Sequence, residues 1–276
     1  RSSTFVFLNN RQLKMLKKKE IHNYKKKGYL LIKNFFPIEK IYLVKKSINS
    51  LLKEKKNSKH FYFEKSKNKK MIRRIEEISE HSIAAKRILT DKKLKIIINK
   101  LIGKKNILFK DKLNLKSPGG YGFDHHIDGH FLWKDKTNNF RKGWKHYANN
   151  FLNAVVPLDS STEANGCIQV SDLAQTRKFL GSNWETISSK LIPLTPKLKK
   201  KYRKKFTFKP ISMKPGDLLL FNWKVCHFSK KNNSRNPRAI FYGTYAEIKN
   251  NKKNIRKQYY RDKIESKNPI QNKSLN

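Results

Sequence analysis

The chain has 276 residues, enough to bury one sizeable core or at most two small ones. Its 17 Phe, 11 Tyr and 4 Trp exclude a chain disordered throughout, and no apolar run approaches the roughly 18 to 20 residues a bilayer span requires. The net charge of +45 comes from 65 basic against 20 acidic residues, with lysines spread from Lys17–Lys19 through Lys199–Lys201 to Lys252–Lys253 and not gathered in one stripe. That spread, with Lys, Asn and Ile abundant together, reads as compositional bias. No specific nucleic-acid partner and no membrane partner are therefore expected, although so positive a protein steers small anions toward itself. Two cysteines, Cys167 and Cys226, make no disulfide framework. A reducing, cytoplasmic setting is the expectation, since the first residues lack the apolar core of a secretory signal. A start at Arg1 instead of Met fits truncation or processing. The oligomeric state is left open.

In chain order, residues 11–27 read as a basic helix running to Gly28, and Tyr29–Phe36 as a strand of branched and aromatic residues. Pro37 opens the next helix, where Ile38, Ile41, Val44, Ile48, Leu51 and Leu52 recur at three- and four-residue spacing. Residues 83–103 look like one more amphipathic helix ended by Gly103. From about Ile107 the texture changes to short strands, the best being Phe151–Leu158, Cys167–Val170, Leu218–Trp223 and Ala239–Tyr245. Gly119-Gly120, Asn165-Gly166 and Pro215-Gly216-Asp217 are turns between them. A helical first third and a strand-rich remainder predict an α+β chain in which helices pack on a jelly roll. The expected division is a single domain over 1–250, with a helical part at 1–105 and a jelly-roll core at 106–250. A basic helix and tail follow at 251–276.

The residues that carry chemistry lie in Ser117-Pro-Gly-Gly-Tyr-Gly-Phe-Asp-His-His-Ile-Asp-Gly-His130. His126-Ile127-Asp128 is a His-x-Asp pair, and residues two apart on a strand or its extended end share a face. Imidazole and carboxylate could thus share one metal, but two protein ligands are too few. A second histidine from a distant strand would complete the two-His, one-carboxylate triad that leaves coordination positions open on Fe(II). Downstream only His130, His146 and His227 remain. His227 follows the apolar run Leu218–Trp223, and eleven residues later Arg238 opens the strand Ala239–Tyr245. A strand, a polar loop and a returning strand would set Arg238 beside His227, where a guanidinium can clamp a carboxylate through two charge-assisted hydrogen bonds.

These motifs resemble the phytanoyl-CoA dioxygenase-like (PhyH-like) family of Fe(II)/2-oxoglutarate oxygenases from about Gly28 to Tyr245. The likeness is carried by GYLLIKNFF, by LKSPGG before the His-Ile-Asp triplet, and by LDSSTEANGCIQV. It is carried also by the run His227-Phe-Ser229, Asn232, Ser234 and Arg238. The resemblance implies a jelly-roll (double-stranded β-helix) core and iron held by His126, Asp128 and His227. It implies 2-oxoglutarate anchored through its distal carboxylate by Arg238, with Ser234 a further candidate for that carboxylate. Asn153 and Val155 share the sheet face on which the family often places a co-substrate contact. The reaction implied consumes O₂ and 2-oxoglutarate, releases succinate and CO₂, and hydroxylates a small-molecule substrate. Phe228 stands where the family usually has Gly, which would narrow the site, and Val170-Ser171-Asp172 replaces a customary Pro-Gly-Ser-His segment. Asp128 is retained, which argues against the halogenating variants.

Three substrate classes stay open. The Gly-Tyr-Gly…His-Ile-Asp-Gly stretch, Tyr147-Ala148-Asn149 and Tyr259–Lys263 resemble hydroxylases of small polar metabolites, organophosphonates among them. For those, Lys112, Lys116, Asp124, His130 and Lys145 are candidate polar contacts or merely solvated surface. An acyl-CoA thioester is the second class. Nucleic-acid oxidation is the third, and it is disfavoured because the second arginine expected six residues after Arg238 is here Thr244. A non-catalytic binding protein on the same scaffold is the alternative outside enzymes.

Overall fold

The computed structural model describes residues 16–53, 60–66, 69–180, 197–248 and 254–266. Helix α1 (Lys18–Lys27) starts where the Glu20 carboxylate accepts from the Lys17 N–H at 2.8 Å, and ends on Gly28. Residues 11–15 of the helix expected at 11–27 lie outside the described residues, and Leu16 and Lys17 precede the helix. Strand β1 (Tyr29–Ile32) stops four residues short of the expected Phe36. The cause is Asp217, whose carboxylate accepts from the Asn34 N–H at 3.0 Å and from Lys33 Nζ at 2.9 Å, turning the chain at Asn34 with φ of 51°. Helix α2 (Ile38–Lys53) buries Ile41, Val44, Ile48 and Leu51, the stripe its periodicity predicts.

The first third is not only helical. Strands β2 (Phe61–Ser66) and β3 (Lys69–Glu76) form an antiparallel hairpin that the sequence reading did not find. Their lysines and arginines hide the two-residue alternation, because several of those cations face inward to buried partners. Short helix α3 (Ile78–His81) precedes α4 (Ile83–Leu89) and α5 (Lys92–Ile102). The single helix expected over 83–103 is thus two. Asp91 breaks it by capping α5, accepting from the N–H of Lys93 at 2.9 Å and of Leu94 at 3.3 Å.

The strands then run β4 (Asn106–Lys116), β5 (Phe123–His126), β6 (Leu132–Lys134), β7 (Phe140–Lys142), β8 (Phe151–Pro157) and β9 (Ile168–Val170). After α6 (Leu173–Leu180) and α7 (Lys200–Arg203) come β10 (Lys209–Pro210), β11 (Leu218–Asn222), β12 (His227–Ser229) and β13 (Arg238–Glu247). A seven-stranded antiparallel sheet in the order β1-β11-β8-β13-β4-β3-β2 faces a four-stranded sheet in the order β10-β9-β12-β5, and β6-β7 is a separate hairpin. Two facing antiparallel sheets with helices on one outer side are the expected jelly roll.

Alternation sorts the large sheet into two environments. Leu152, Ala154, Val156, Leu218, Leu220 and Phe241 pack outward on α2, α4 and α5. Val155, Leu219, Phe221 and Ile240 turn inward onto Ile168, Val170 and Val225. Every residue of β8 is buried, because both faces of that strand are covered. Helix α8 (Ile255–Glu265) is no loose appendage: Ile255 and Tyr259 join Phe109, Trp144, Tyr147, Phe151 and Trp223 in one aromatic cluster. Among the described residues no helix is long and apolar enough to cross a membrane.

Candidate active site

The small sheet brings the two histidines together. His126 ends β5, His227 begins β12, and the two are register partners with ring centroids 4.2 Å apart. Asp128 lies just past β5 in a turn at Gly129, whose φ is 66° and whose missing Cβ would strike Trp144 at 2.5 Å. The carboxylate stands 3.7 Å from His126 Nε2 and 3.8 Å from His227 Nε2. One candidate ligand atom from each residue lies within 4.8 Å of the others.

The tautomers follow from the backbone. His126 Nδ1 is 2.6 Å from the Asp124 carbonyl and His227 Nδ1 is 3.0 Å from the Val225 carbonyl. A carbonyl only accepts, so each Nδ1 carries the hydrogen and each Nε2 offers a lone pair. Burial, the dominant influence on both rings, keeps them neutral and pushes His126 down to about 3; His227 also opposes a proton on His126, Lys112 opposes one on His227, and Asp128 pulls the other way on both. Burial would raise the Asp128 carboxyl, but the two imidazoles, Lys112 and Lys110 outweigh it and hold the group below its ordinary range. Two neutral nitrogens and a carboxylate oxygen converging on one point make a donor set suited to a divalent first-row metal.

Asn153 on β8 orients the carboxylate: its Nδ2 donates to Asp128 Oδ2 at 2.8 Å while its Oδ1 accepts from Thr244 Oγ1 at 2.7 Å. Its amide thus joins the Asp128 carboxylate to Thr244. Val155 is wholly apolar core.

Arg238 is fully buried at the start of β13, cross-strand from Lys116 on β4. Its Nη1 donates to the Gly166 carbonyl at 2.6 Å, its Nε is buried without a partner, and no carboxylate pairs with it among the described residues. Lys116 Nζ meets the same carbonyl at 3.1 Å, together with Ser229 Oγ at 2.9 Å and the Lys230 carbonyl at 2.6 Å. Gly166 has φ of 72° and no room for a Cβ, which would lie 2.2 Å from the Lys230 carbonyl. Burial, then the charges of Arg238 and Arg73, push Lys116 down to about 6, with Glu64 and Cys167 opposing. Arg238 is thus a buried guanidinium with one unpaired N–H and no carboxylate partner among the described residues, and it is not among the residues lining the pocket beside the triad.

Ser234 does not join them. Its hydroxyl is 2.8 Å from Asn232 Oδ1 and 3.1 Å from the Asn236 carbonyl, within the loop before β13. The serine at the pocket wall is Ser229, two residues after His227 on β12, where strand alternation gives it the same face. A small pocket opens beside the triad, with Lys112, Asn114, Phe123, Phe228, Ser229 and Tyr242 in its wall. Phe228 does narrow it, stacked on His125 with centroids 3.8 Å apart and edge-on to Phe208. Of the other polar candidates only Lys112 reaches the pocket. Asp124 pairs with Lys197 at 2.7 Å near the surface, Lys145 is exposed, and His130 is buried off the pocket. Asn114, Ser229 and Tyr242 were legible in principle, as inward positions on strands already carrying the site.

The chain resembles "2-aminoethylphosphonate dioxygenase" of an uncultured bacterium (HF130_AEPn_1), 29% identical over 68% of this chain and 64% of that protein. It also resembles "Methylphosphonate hydroxylase" of Gimesia maris, 26% identical over 62% of this chain and 57% of that protein. The chain thus spans under two thirds of the length of these relatives. Among solved structures, EctD from S. alaskensis with 2-oxoglutarate and 5-hydroxyectoine superposes with a TM-score of 0.66 at 19% identity, over 87% of this chain and 79% of that one. That likeness establishes the jelly-roll fold. The family model of phytanoyl-CoA dioxygenase (PhyH) matches residues 24–240, and across that span this chain belongs to the phytanoyl-CoA dioxygenase family.

Proposed function

We propose that this protein is an Fe(II)- and 2-oxoglutarate-dependent dioxygenase that hydroxylates a small polar or anionic metabolite, organophosphonate or amino-acid-like. The observation that carries the reading is the pairing of a converged His126–Asp128–His227 donor set with a buried, carboxylate-free Arg238. A metal site alone would suit many chemistries. The added buried cation calls for a chelating acid with a second, distal carboxylate. The relatives' names support the substrate class.

Iron, 2-oxoglutarate and O₂ together supply the oxidising power for insertion of oxygen into a C–H bond, with succinate and CO₂ as co-products. The protein's part is placement. His126 and His227 present Nε2 lone pairs because the Asp124 and Val225 carbonyls hold their Nδ1 hydrogens. Asn153 fixes the rotation of the Asp128 carboxylate. Arg238 receives the distal carboxylate, and Phe123, Ile168 and Phe228 keep water from the wall of the pocket. The reading is tested by adding Fe(II) and 2-oxoglutarate anaerobically and following the visible metal-to-ligand band, then screening phosphonates, amino acids, betaines and acyl-CoAs for succinate release. Absence of the band would sink the co-substrate assignment; succinate release stimulated only by acyl-CoAs would sink the substrate class.

A further inference from the structure

Strand β4 carries Lys110, Lys112, Asn114 and Lys116 at alternate positions, facing Thr244, Tyr242, Ile240 and Arg238 across the pair with β13. The outer two lysines are partnered. Lys110 Nζ donates to Tyr259 Oη at 3.0 Å and pairs with Glu76 at 3.3 Å, and Lys116 has the three oxygens already described. Lys112 differs. It lines the pocket, and among the described residues its ammonium makes no hydrogen bond or ion pair, only an approach of 5.0 Å to the Tyr242 ring. Burial, with Arg74 and Lys110 adding, pulls this amine down to about 7 against the opposing pull of Asp128 and Glu76. Lys112 is half-buried at the pocket wall, so its amine is free to meet a ligand there, and a cationic side chain at a pocket without an internal counterion is a candidate anion contact.

The two cationic rungs are too far apart to serve one group. Lys112–Tyr242 and Lys116–Arg238 are separated by four residues, about 13 Å along the strands at about 3.3 Å per residue. A carboxylate at Arg238 therefore leaves Lys112, which lines the pocket beside the triad, for a different anion. We infer that Lys112 is a specificity-determining residue that binds the anionic headgroup, phosphonate or carboxylate, of the molecule to be oxidised. This inference rests on the proposed function and names which part of the substrate the site reads.

The test titrates probes into anaerobic protein loaded with Fe(II) and 2-oxoglutarate, following the visible band without turnover. The probes are 2-aminoethylphosphonate, its carboxylate counterpart β-alanine, and propylamine, which keeps the amine and lacks the anion. Wild type is expected to respond to at least one anionic probe, which identifies the headgroup, and to be indifferent to propylamine. Lys112→Met and Lys112→Gln should weaken the anionic probe about tenfold to a hundredfold, the worth of a charge-assisted hydrogen bond, while Lys112→Arg retains most of the binding. The 2-oxoglutarate half-saturation should stay unchanged in all three. Thermal denaturation should show the Met and Gln variants as stable as wild type, since the half-buried Lys112 has no hydrogen bond or ion pair among the described residues to lose. A rise in 2-oxoglutarate requirement would reassign Lys112 to the co-substrate and overturn the inference. Unweakened probe binding, an equal response to propylamine, no response to any probe, or a fall in stability of both neutral variants would overturn it too. Wild type that forms no band before any probe is added would overturn the proposed function and this inference with it.

Discussion

Two groups of buried charge sit on neighbouring parts of the same sheet, and they are balanced in opposite ways. Toward α8, Glu76 on β3 lies among Lys110, Lys263 and Arg74, with the Tyr62 and Tyr259 hydroxyls closing the cluster. There the protein provides its own carboxylate. At the opposite end of β4, Arg238 and Lys116 share the Gly166 carbonyl and neither pairs with a carboxylate among the described residues, the neighbouring Glu64 being paired with Arg73. Both clusters bear the cost of burying cations, which neutral dipoles offset only in part. The comparison teaches where to look for a ligand: a buried charge with an internal counterion is architecture, and one without it is an unfinished contact.

Four expected outcomes could break or sharpen that contrast. The largest lies at the triad, where His126→Ala, Asp128→Ala or His227→Ala should each abolish substrate-dependent succinate release and leave the fold intact by circular dichroism. Near-normal turnover in any of the three would remove the metal assignment. Next, Arg238→Ala should raise the 2-oxoglutarate requirement by about two to three decades, because removing one partner of a buried pair costs about 3–5 kcal/mol. Fe(II) binding should persist, and pyruvate, lacking a distal carboxylate, should gain relative to 2-oxoglutarate. An unchanged half-saturation would move the anchor elsewhere.

The balanced cluster should respond in stability and not in co-substrate binding. Glu76→Gln strands Lys110 and Lys263 and should cost about 3–5 kcal/mol in chemical denaturation at neutral pH, with the 2-oxoglutarate half-saturation unchanged. Burial alone would raise the Glu76 carboxyl, but Lys110, Lys263 and Arg74 together hold it well below its ordinary range. Its folded value being depressed, the group stabilises fully above the unfolded carboxylate range and loses that contribution as pH falls below about 4.5. Wild type should therefore lose stability more steeply in acid than Glu76→Gln. Equal slopes would show the cluster to be neutralised by other means. The smallest metal-site effect belongs to Asn153→Ala, which frees the Asp128 carboxylate to rotate. Loss of such an outer contact should weaken Fe(II) binding about tenfold to a hundredfold, read by competition with a chelator. Unaltered metal affinity would mean that the Asp128 rotamer is held by the turn at Gly129.

Part of the candidate site was legible because its signal is local: His126 and Asp128 are two residues apart at the end of β5. His227 on β12 and Arg238 on β13, eleven residues apart, lie in different sheets, so the antiparallel pair expected from their spacing is not formed. Ser234 and Ser229 show where that stops. Both serines lie within the same motif, but Ser234 turns back onto Asn232 while Ser229 reaches the wall, a choice made by loop hydrogen bonds. The split of α4 from α5 at Asp91 was readable as a helix cap and was overridden by the apolar periodicity running through it. Hairpin β2-β3 was not readable at all, because its inward cations become intelligible only beside Glu64 and Glu76.

What the amino-acid order determined by itself was the fold class and most of the apolar stripe of α2, encoded by spacing within one or two elements, while the candidate His126, Asp128, His227 and Arg238 came from the family resemblance as well as from spacing. The tertiary structure alone decided what each buried lysine is for. Lys110, Lys112 and Lys116 occur as identical residues at alternate positions on one strand, so nothing local distinguishes them. Their partners come from β3, α8 and the Gly166 and Lys230 loops, far along the chain, and for Lys112 from no described residue. The role of a buried charge is set by its counterion, and counterions are brought together by folding.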